Sequence, residues 1–161
     1  ASAMGAHVST VPNEQTGRMC PLDTRAIVAE TGAFGYELDL AKLSQEELDA
    51  VKEQVVWHKR VSDLVAHGRY ERLTNPLEDP VAAWAEVSGD RGQVLVSAVI
   101  TKTCAYNEAH YVRLSGRQTG RAYRDVVSGD VYPADVLMDV GLKLPMEVGT
   151  YRGYAYLLER L

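Results

Sequence analysis

An α/β segment followed by an all-β antiparallel domain is the fold class that this 161-residue sequence predicts, on three observations. The run Gly32-Ala33-Phe34-Gly35-Tyr36-Glu37-Leu38-Asp39-Leu40 reads as a strand that passes through Ala41-Lys42-Leu43 into a long helical pattern opening at Ser44. A strand feeding straight into a crossover helix needs a parallel strand to return to, which places the unit in the ring of a barrel or on a parallel sheet. A strand and a helix of the same kind precede it. From Arg69 onward the texture changes to strands of about five to eight residues between closely spaced turn clusters, the pattern of a sandwich or barrel. No parallel strand follows the second helix, so the chain reads as the tail of a larger α/β protein with a β-domain appended.

In chain order, residues 3 to 9 predict a short buried strand, and Pro12, Asn13 and Gly17 mark a loop from Thr10 to Arg18. The helix predicted over about 21 to 31 has Pro21 in its first turn, Leu22, Ala26 and Ala29 on one face and Gly32 at its stop. Phe34 to Leu38 form the second strand. Ser44, with Glu47 three residues on, is a capping box for the second helix, which carries Leu48, Val51 and Val55 and then Val61, Leu64 and Val65. The apolar stripe slips between Val56 and Val61, which predicts a kink or break near Lys59 to Ser62; Trp57 is placed as a packing residue. Gly68 closes the helix and sets a domain boundary, 1–68 against 69–161.

In the second domain Val81 to Val87 and Gln93 to Thr101 flank the turn Ser88-Gly89-Asp90-Arg91-Gly92. Ala122 to Val127 joins Val131-Tyr132 through Ser128-Gly129-Asp130, and both pairs are read as hairpins. Tyr154, Tyr156 and Leu158 share one face of a last strand expected to be central to the domain. Trp84, Val96 and Tyr156 are assigned to one core.

A 46% hydrophobic content is enough to fill a core at this length. The net charge is −5 and lysine and arginine are scattered singly, so no electrostatic footprint for nucleic acid or an anionic membrane is present. The longest apolar run, Val94 to Ile100, is far short of the roughly 20 residues of a membrane span. The two cysteines, Cys20 and Cys104, fall in different predicted domains, which makes a disulfide framework unexpected and points to a reducing, cytoplasmic setting.

The chain has no phosphate-cradling glycine loop, nucleophile elbow or Cys-x-x-C. His58 and His67 are nine residues apart and do not share a helical face as a metal pair requires, so they and His110 are read as solvated or capping residues, and no metal or cofactor is expected. Glu37 and Asp39 alternate on one side of the second strand near its end, which in a parallel α/β barrel is where active sites are built. His7 and Ser9 end the first strand and face the same way. Two readings of these four residues stand open: substrate-side groups, or groups that hydrogen-bond loop backbone and cap a neighbouring element.

The residues Met4-Gly5-Ala6-His7-Val8-Ser9, Val11-Pro12-Asn13, Gln15-Thr16-Gly17-Arg18, Pro21-Leu22, Thr24-Arg25 and Phe34-Gly35-Tyr36-Glu37-Leu38-Asp39 together resemble the end of a bacterial α-galactosidase of glycoside hydrolase family 36. Tyr123-Arg124-Asp125, Gly129-Asp130-Val131-Tyr132, Leu137-Met138 and Gly141-Leu142-Lys143-Leu144-Pro145 resemble that family's C-terminal β-domain. The sequence departs from the pattern at Glu14, where a histidine is expected, and at Cys20, where a threonine is usual. The resemblance implies the last two βα units of a catalytic (β/α)8 barrel followed by an antiparallel β-sandwich. It implies a retaining enzyme acting on melibiose and raffinose, whose two catalytic aspartates lie on earlier strands, the fourth and sixth. No residue of this chain matches a catalytic role, so the chain alone is expected to be inactive, with the N-terminal remainder of the enzyme as its partner and a homo-oligomer as the full assembly. The competing expectation is a stand-alone carbohydrate-binding β-sandwich module with a helical N-terminal extension, which presents Tyr106, Tyr111 and Tyr132.

Overall fold

The computed structural model describes residues 4–102, 109–145 and 151–161, in two compact units, Ala1–His67 and Gly68–Leu161. In the first, β1 (Gly5–Ser9) and β2 (Ala33–Glu37) pair in parallel, Gly5 opposite Ala33 through Ser9 opposite Glu37. The crossover between them is α1 (Leu22–Ala29), whose Ala26 and Ala29 bury against Val8, with Ala6, Leu22, Phe34, Tyr36 and Leu38 around them. Gly32 is required by a close approach: a Cβ there would sit 2.4 Å from the Met4 carbonyl oxygen, which accepts the Ala33 N–H at 2.8 Å as the pairing begins. Of β1 only Val8 is fully buried, so the expectation of a buried strand is corrected. A strand with a single paired neighbour covers only the side chains on its helix-facing side.

Between β2 and the next helix a short 3-10 turn spans Leu40–Lys42. α2 then runs from Gln45 to His67. The capping box forms reciprocally, with the Ser44 N–H donating to Glu47 Oε2 at 2.9 Å and the Glu47 N–H to Ser44 Oγ at 3.2 Å. The break expected near Lys59 to Ser62 is absent, and the helix is continuous over 23 residues. A slip of the apolar stripe changes which face is buried but removes no backbone hydrogen bond, and the segment contains neither proline nor glycine to interrupt the ladder. Burial is confined to the second half, at Val61, Leu64 and Val65.

The second unit is built on a six-stranded antiparallel sheet in the order β3-β4-β5-β10-β7-β8, with β3 Arg69–Arg72, β4 Val81–Val87, β5 Gln93–Ile100, β7 Ala122–Asp125, β8 Val131–Pro133 and β10 Gly153–Arg160. Both predicted hairpins are present, β4 with β5 and β7 with β8. β6 (His110–Val112) pairs with β9 (Leu142–Leu144) in a small separate sheet. A helix the sequence reading missed, α3 (Ala134–Asp139), follows Pro133. Six residues are too few to establish a helical period, so the segment passed as part of the all-β texture.

Two rows of the core lie on one face of the large sheet, while Leu95 and Leu157 are buried on the other. Ala85, Val96 and Tyr156 are in register across β4, β5 and β10, as are Val87, Val94 and Leu158. Leu137 of α3, Leu142 of β9, Leu114 and the fully buried Tyr123 pack with these rows, and the Tyr123 hydroxyl donates to the Arg91 carbonyl at 2.9 Å. Trp84 is corrected: it pairs with Ser97 and so points to the opposite face from Val96 and Tyr156. Strand alternation decides this, because Val81, Ala83, Ala85 and Val87 occupy the core side of β4 and leave the even-numbered positions to the other.

Leu158 is fully buried in the central strand and Val127 is 70% exposed. Leu158→Ala is expected to destabilise the second unit by about 2–5 kcal/mol and Val127→Ala by less than about 0.5 kcal/mol, measured by urea unfolding of the chain.

Candidate functional site

Parallel in-register pairing ends β1 and β2 together, with Ser9 beside Glu37 at their C-terminal ends. Val8, Phe34 and Tyr36 turn toward α1, and alternation therefore sends His7, Ser9, Gly35 and Glu37 to the other face. His7 Nε2 lies 2.5 Å from Glu37 Oε2, with side-chain exposures of 51% and 73%, a diagonal contact across the two strands. The pair lines a hollow with Ser9, Thr10, Glu14 and Gln15.

Asp39 is placed differently. The strand stops at Glu37, and Asp39 is the N-cap of the 3-10 turn, its Oδ1 accepting the Ala41 N–H at 3.0 Å. The expected alternation of Glu37 and Asp39 along one strand face is thus corrected, because a carboxylate just outside a strand is captured by the unpaired amides of the turn that follows. Both residues still border a second hollow, with Arg25, Lys42 and Glu47.

The loop after β1 contributes residues that sequence reasoning passed over. Asn13 Oδ1 accepts from the Gln15 N–H, the Thr16 N–H and Thr16 Oγ1 at 3.2, 3.0 and 2.9 Å, an Asx turn foreshadowed by the Pro12-Asn13 breaker pair. Arg25, from α1, donates Nε to the Cys20 carbonyl at 3.0 Å and Nη1 to the Ser9 carbonyl, which ties both ends of the loop to one guanidinium. Cys20 is free, and burial pushes its thiol up despite the nearby Arg25 and Arg18 charges, so it is not an activated nucleophile.

His58 is also corrected. It is neither solvated nor a cap: its Nδ1 lies 2.5 Å from Oε1 of Glu30, whose side chain is only 6% exposed, and its ring stacks on Phe34 at 4.8 Å. The neighbouring Tyr36 donates to Gln54 Oε1 at 2.8 Å, and its pKa is pushed up to about 12 by burial and then by the Glu30 charge. His67 is exposed, 3.6 Å from Asp63, and His110 opens β6. Among the described residues no group of side chains could hold a metal ion, and no helix is long and apolar enough to cross a membrane. Tyr111 is exposed on β6 and Tyr132 packs against the core of the large sheet, whereas Tyr106 and Cys104 lie outside the described residues.

Both units answer to known glycoside hydrolase families. Residues 1–68 match the Melibiase family and residues 81–158 the glycosyl hydrolase family 36 C-terminal domain. The chain belongs to glycoside hydrolase family 36 and corresponds to the C-terminal part of its bacterial α-galactosidases. It is 41% identical over 160 residues to the bifunctional α-galactosidase/sucrose kinase AgaSK of Mediterraneibacter gnavus, covering 99% of this chain and 17% of that protein. It is 44% identical over 144 residues to the α-galactosidase AgaA of Geobacillus stearothermophilus, covering 89% of this chain and 20% of that one. The solved galactosidase domain of AgaSK superimposes with a TM-score of 0.95 over 99% of this chain and 22% of the domain's chain. The chain therefore spans about a fifth of the length of these relatives.

Burial is the largest influence on Glu30 and raises its pKa above the ordinary 4.5, against the lowering effect of His58. The folded chain then binds this proton more tightly than the unfolded chain. The contribution to stability is complete below the ordinary value and is lost as pH rises through the raised one. Urea unfolding of wild type and Glu30→Gln in parallel should show the wild type losing stability relative to the variant as pH climbs from about 4 to about 7. A flat difference across that range would show that His58 offsets the burial and that the folded chain holds this proton no more tightly than the unfolded one.

Proposed function

We propose that this chain supplies the C-terminal end of a catalytic (β/α)8 barrel, residues 1–68, and an antiparallel β-sandwich, residues 69–161, to a retaining α-galactosidase that removes terminal α-galactosyl units from oligosaccharides such as melibiose and raffinose. The observation that carries this reading is the gathering of His7, Ser9 and Glu37 on one face at the C-terminal ends of two parallel strands. In a closed parallel barrel that end holds the active site. Its support in substrate class comes from AgaA variants, solved in complex with raffinose and with stachyose.

Retaining hydrolysis needs one carboxylate as nucleophile and a second as acid and then base, about 5 Å apart and flanking the anomeric carbon. Glu37 is the single carboxylate that β1 and β2 place on the site face, and Asp39 is engaged by the Ala41 amide. The two catalytic aspartates are assigned to the preceding strands, so the remainder of the barrel is the first partner of this chain. His7, Ser9 and Glu37 take the role of hydrogen-bonding groups at the barrel mouth, where hydroxyl-rich substrate arrives. A cytoplasmic location and a homo-oligomeric full-length enzyme belong to the same reading, and the mechanism calls for no cofactor.

The isolated chain should hydrolyse an aryl α-galactoside no faster than buffer. Adding a separately expressed portion that carries the preceding six strands should restore measurable turnover. Robust hydrolysis by the 161-residue chain alone, with contaminating full-length enzyme excluded by intact mass, would refute the assignment and direct mutagenesis to Glu37.

A further inference from the structure

The hollow at the strand ends carries two kinds of polar group. His7, Ser9 and Glu37 stand on the strands, while Glu14 and Gln15 stand on the loop that follows β1. Both loop side chains are exposed, and among the described residues neither has a hydrogen-bond or ion-pair partner. Their backbone, by contrast, is held firmly. Besides the three bonds accepted by Asn13 Oδ1, the Gly17 N–H reaches the Asn13 carbonyl at 2.8 Å with Gly17 at a φ of +65°, and the Asn13 N–H reaches the Arg18 carbonyl at 3.0 Å. Within this chain two polar side chains without a partner are thus presented on a loop whose backbone is already ordered, which lowers the ordering cost of binding.

We propose that Glu14 and Gln15 bind hydroxyls of the saccharide on the leaving-group side of the scissile bond, and so favour oligosaccharides over other leaving groups. The inference rests on the α-galactosidase reading above. The sugar being cleaved has to lie between two carboxylates in an enclosed site, where discrimination comes from buried polar groups. A leaving saccharide projects outward from that site, and exposed groups on the rim are the ones it meets. The Glu14 carboxylate accepts hydrogen bonds and the Gln15 amide both donates and accepts, which complements neighbouring hydroxyls and offers nothing to an aryl leaving group. The loop from Thr10 to Cys20 contains no aromatic residue, so recognition here proceeds through hydrogen bonds and not through stacking.

The test uses the full-length enzyme that contains this chain, as wild type, Glu14→Ala, Gln15→Ala and the double variant. The specificity constant kcat/KM is measured for raffinose and for an aryl α-galactoside. The ratio of the two constants should fall about three- to tenfold in the double variant, mainly through KM for raffinose, as expected of one or two exposed hydrogen bonds. A ratio within about twofold of wild type overturns the proposal, including the case in which both substrates suffer equally. A wild-type enzyme that hydrolyses neither substrate overturns the α-galactosidase reading itself, and is distinguishable because it needs no variant.

Discussion

The second unit depends on one strand. β10 lies between β5 and β7, pairing with β5 from Gly153–Val99 to Glu159–Gln93 and with β7 from Leu158–Asp125 to Arg160–Tyr123. Without it, the three strands β3-β4-β5 and the hairpin β7-β8 would be separate pieces, each with an unpaired edge. Tyr156 and Leu158 also supply the middle of the core rows that reach from β4 to the small sheet and α3. Both partners of β10 are distant from it in sequence, so the sheet is joined by contacts of long sequence separation and not by local hairpins alone.

In the first unit the corresponding constraint is the Val8–Ala26–Ala29 contact under α1, which fixes which side of β1 and β2 is apolar. Once that side is fixed, alternation delivers His7, Ser9 and Glu37 to the other. Gly35 stands opposite His7 and its Cβ position opens on empty space, so no side chain separates the imidazole from Glu37 one step further along. Arg25 extends the same helix's influence to the loop, since its guanidinium holds the Ser9 and Cys20 carbonyls. Packing on one face of the strand pair and polar geometry on the other are consequences of a single helix docking.

What was legible in the sequence was whatever is encoded over a few residues. The Ser44–Glu47 box and the two hairpins follow local rules, the parallel strands follow from the strand-helix-strand order, and all are present. Trp84 was misplaced because β4 is buried on both faces, and a run of small apolar residues hides the alternation that tells one face from the other. The helical break was misjudged because a shift in hydrophobic period reports on neighbours and not on the backbone. His58 was misread because its partner, Glu30, is 28 residues away on another helix, a separation that no spacing rule reaches. For the candidate site the strand-borne residues were legible, while Asp39 and the loop residues depended on which backbone amides were left unpaired.

The division of labour in the site follows from the same physics. Groups that must hold position are best carried by strands, where neighbours over-determine the backbone, and His7, Ser9 and Glu37, the barrel-mouth groups of the proposed reading, are so carried. Groups that discriminate among leaving saccharides need reach and exposure, which a strand cannot offer, yet a floppy loop would spend much of the binding energy on its own ordering. An Asx turn closed by Asn13 and anchored at both ends by Arg25 meets both demands. Substitutions that loosen this turn should therefore resemble loss of Glu14 and Gln15 more than loss of Glu37, because they leave the strand-borne groups in place while releasing the side chains that, in the proposed reading, meet the leaving saccharide.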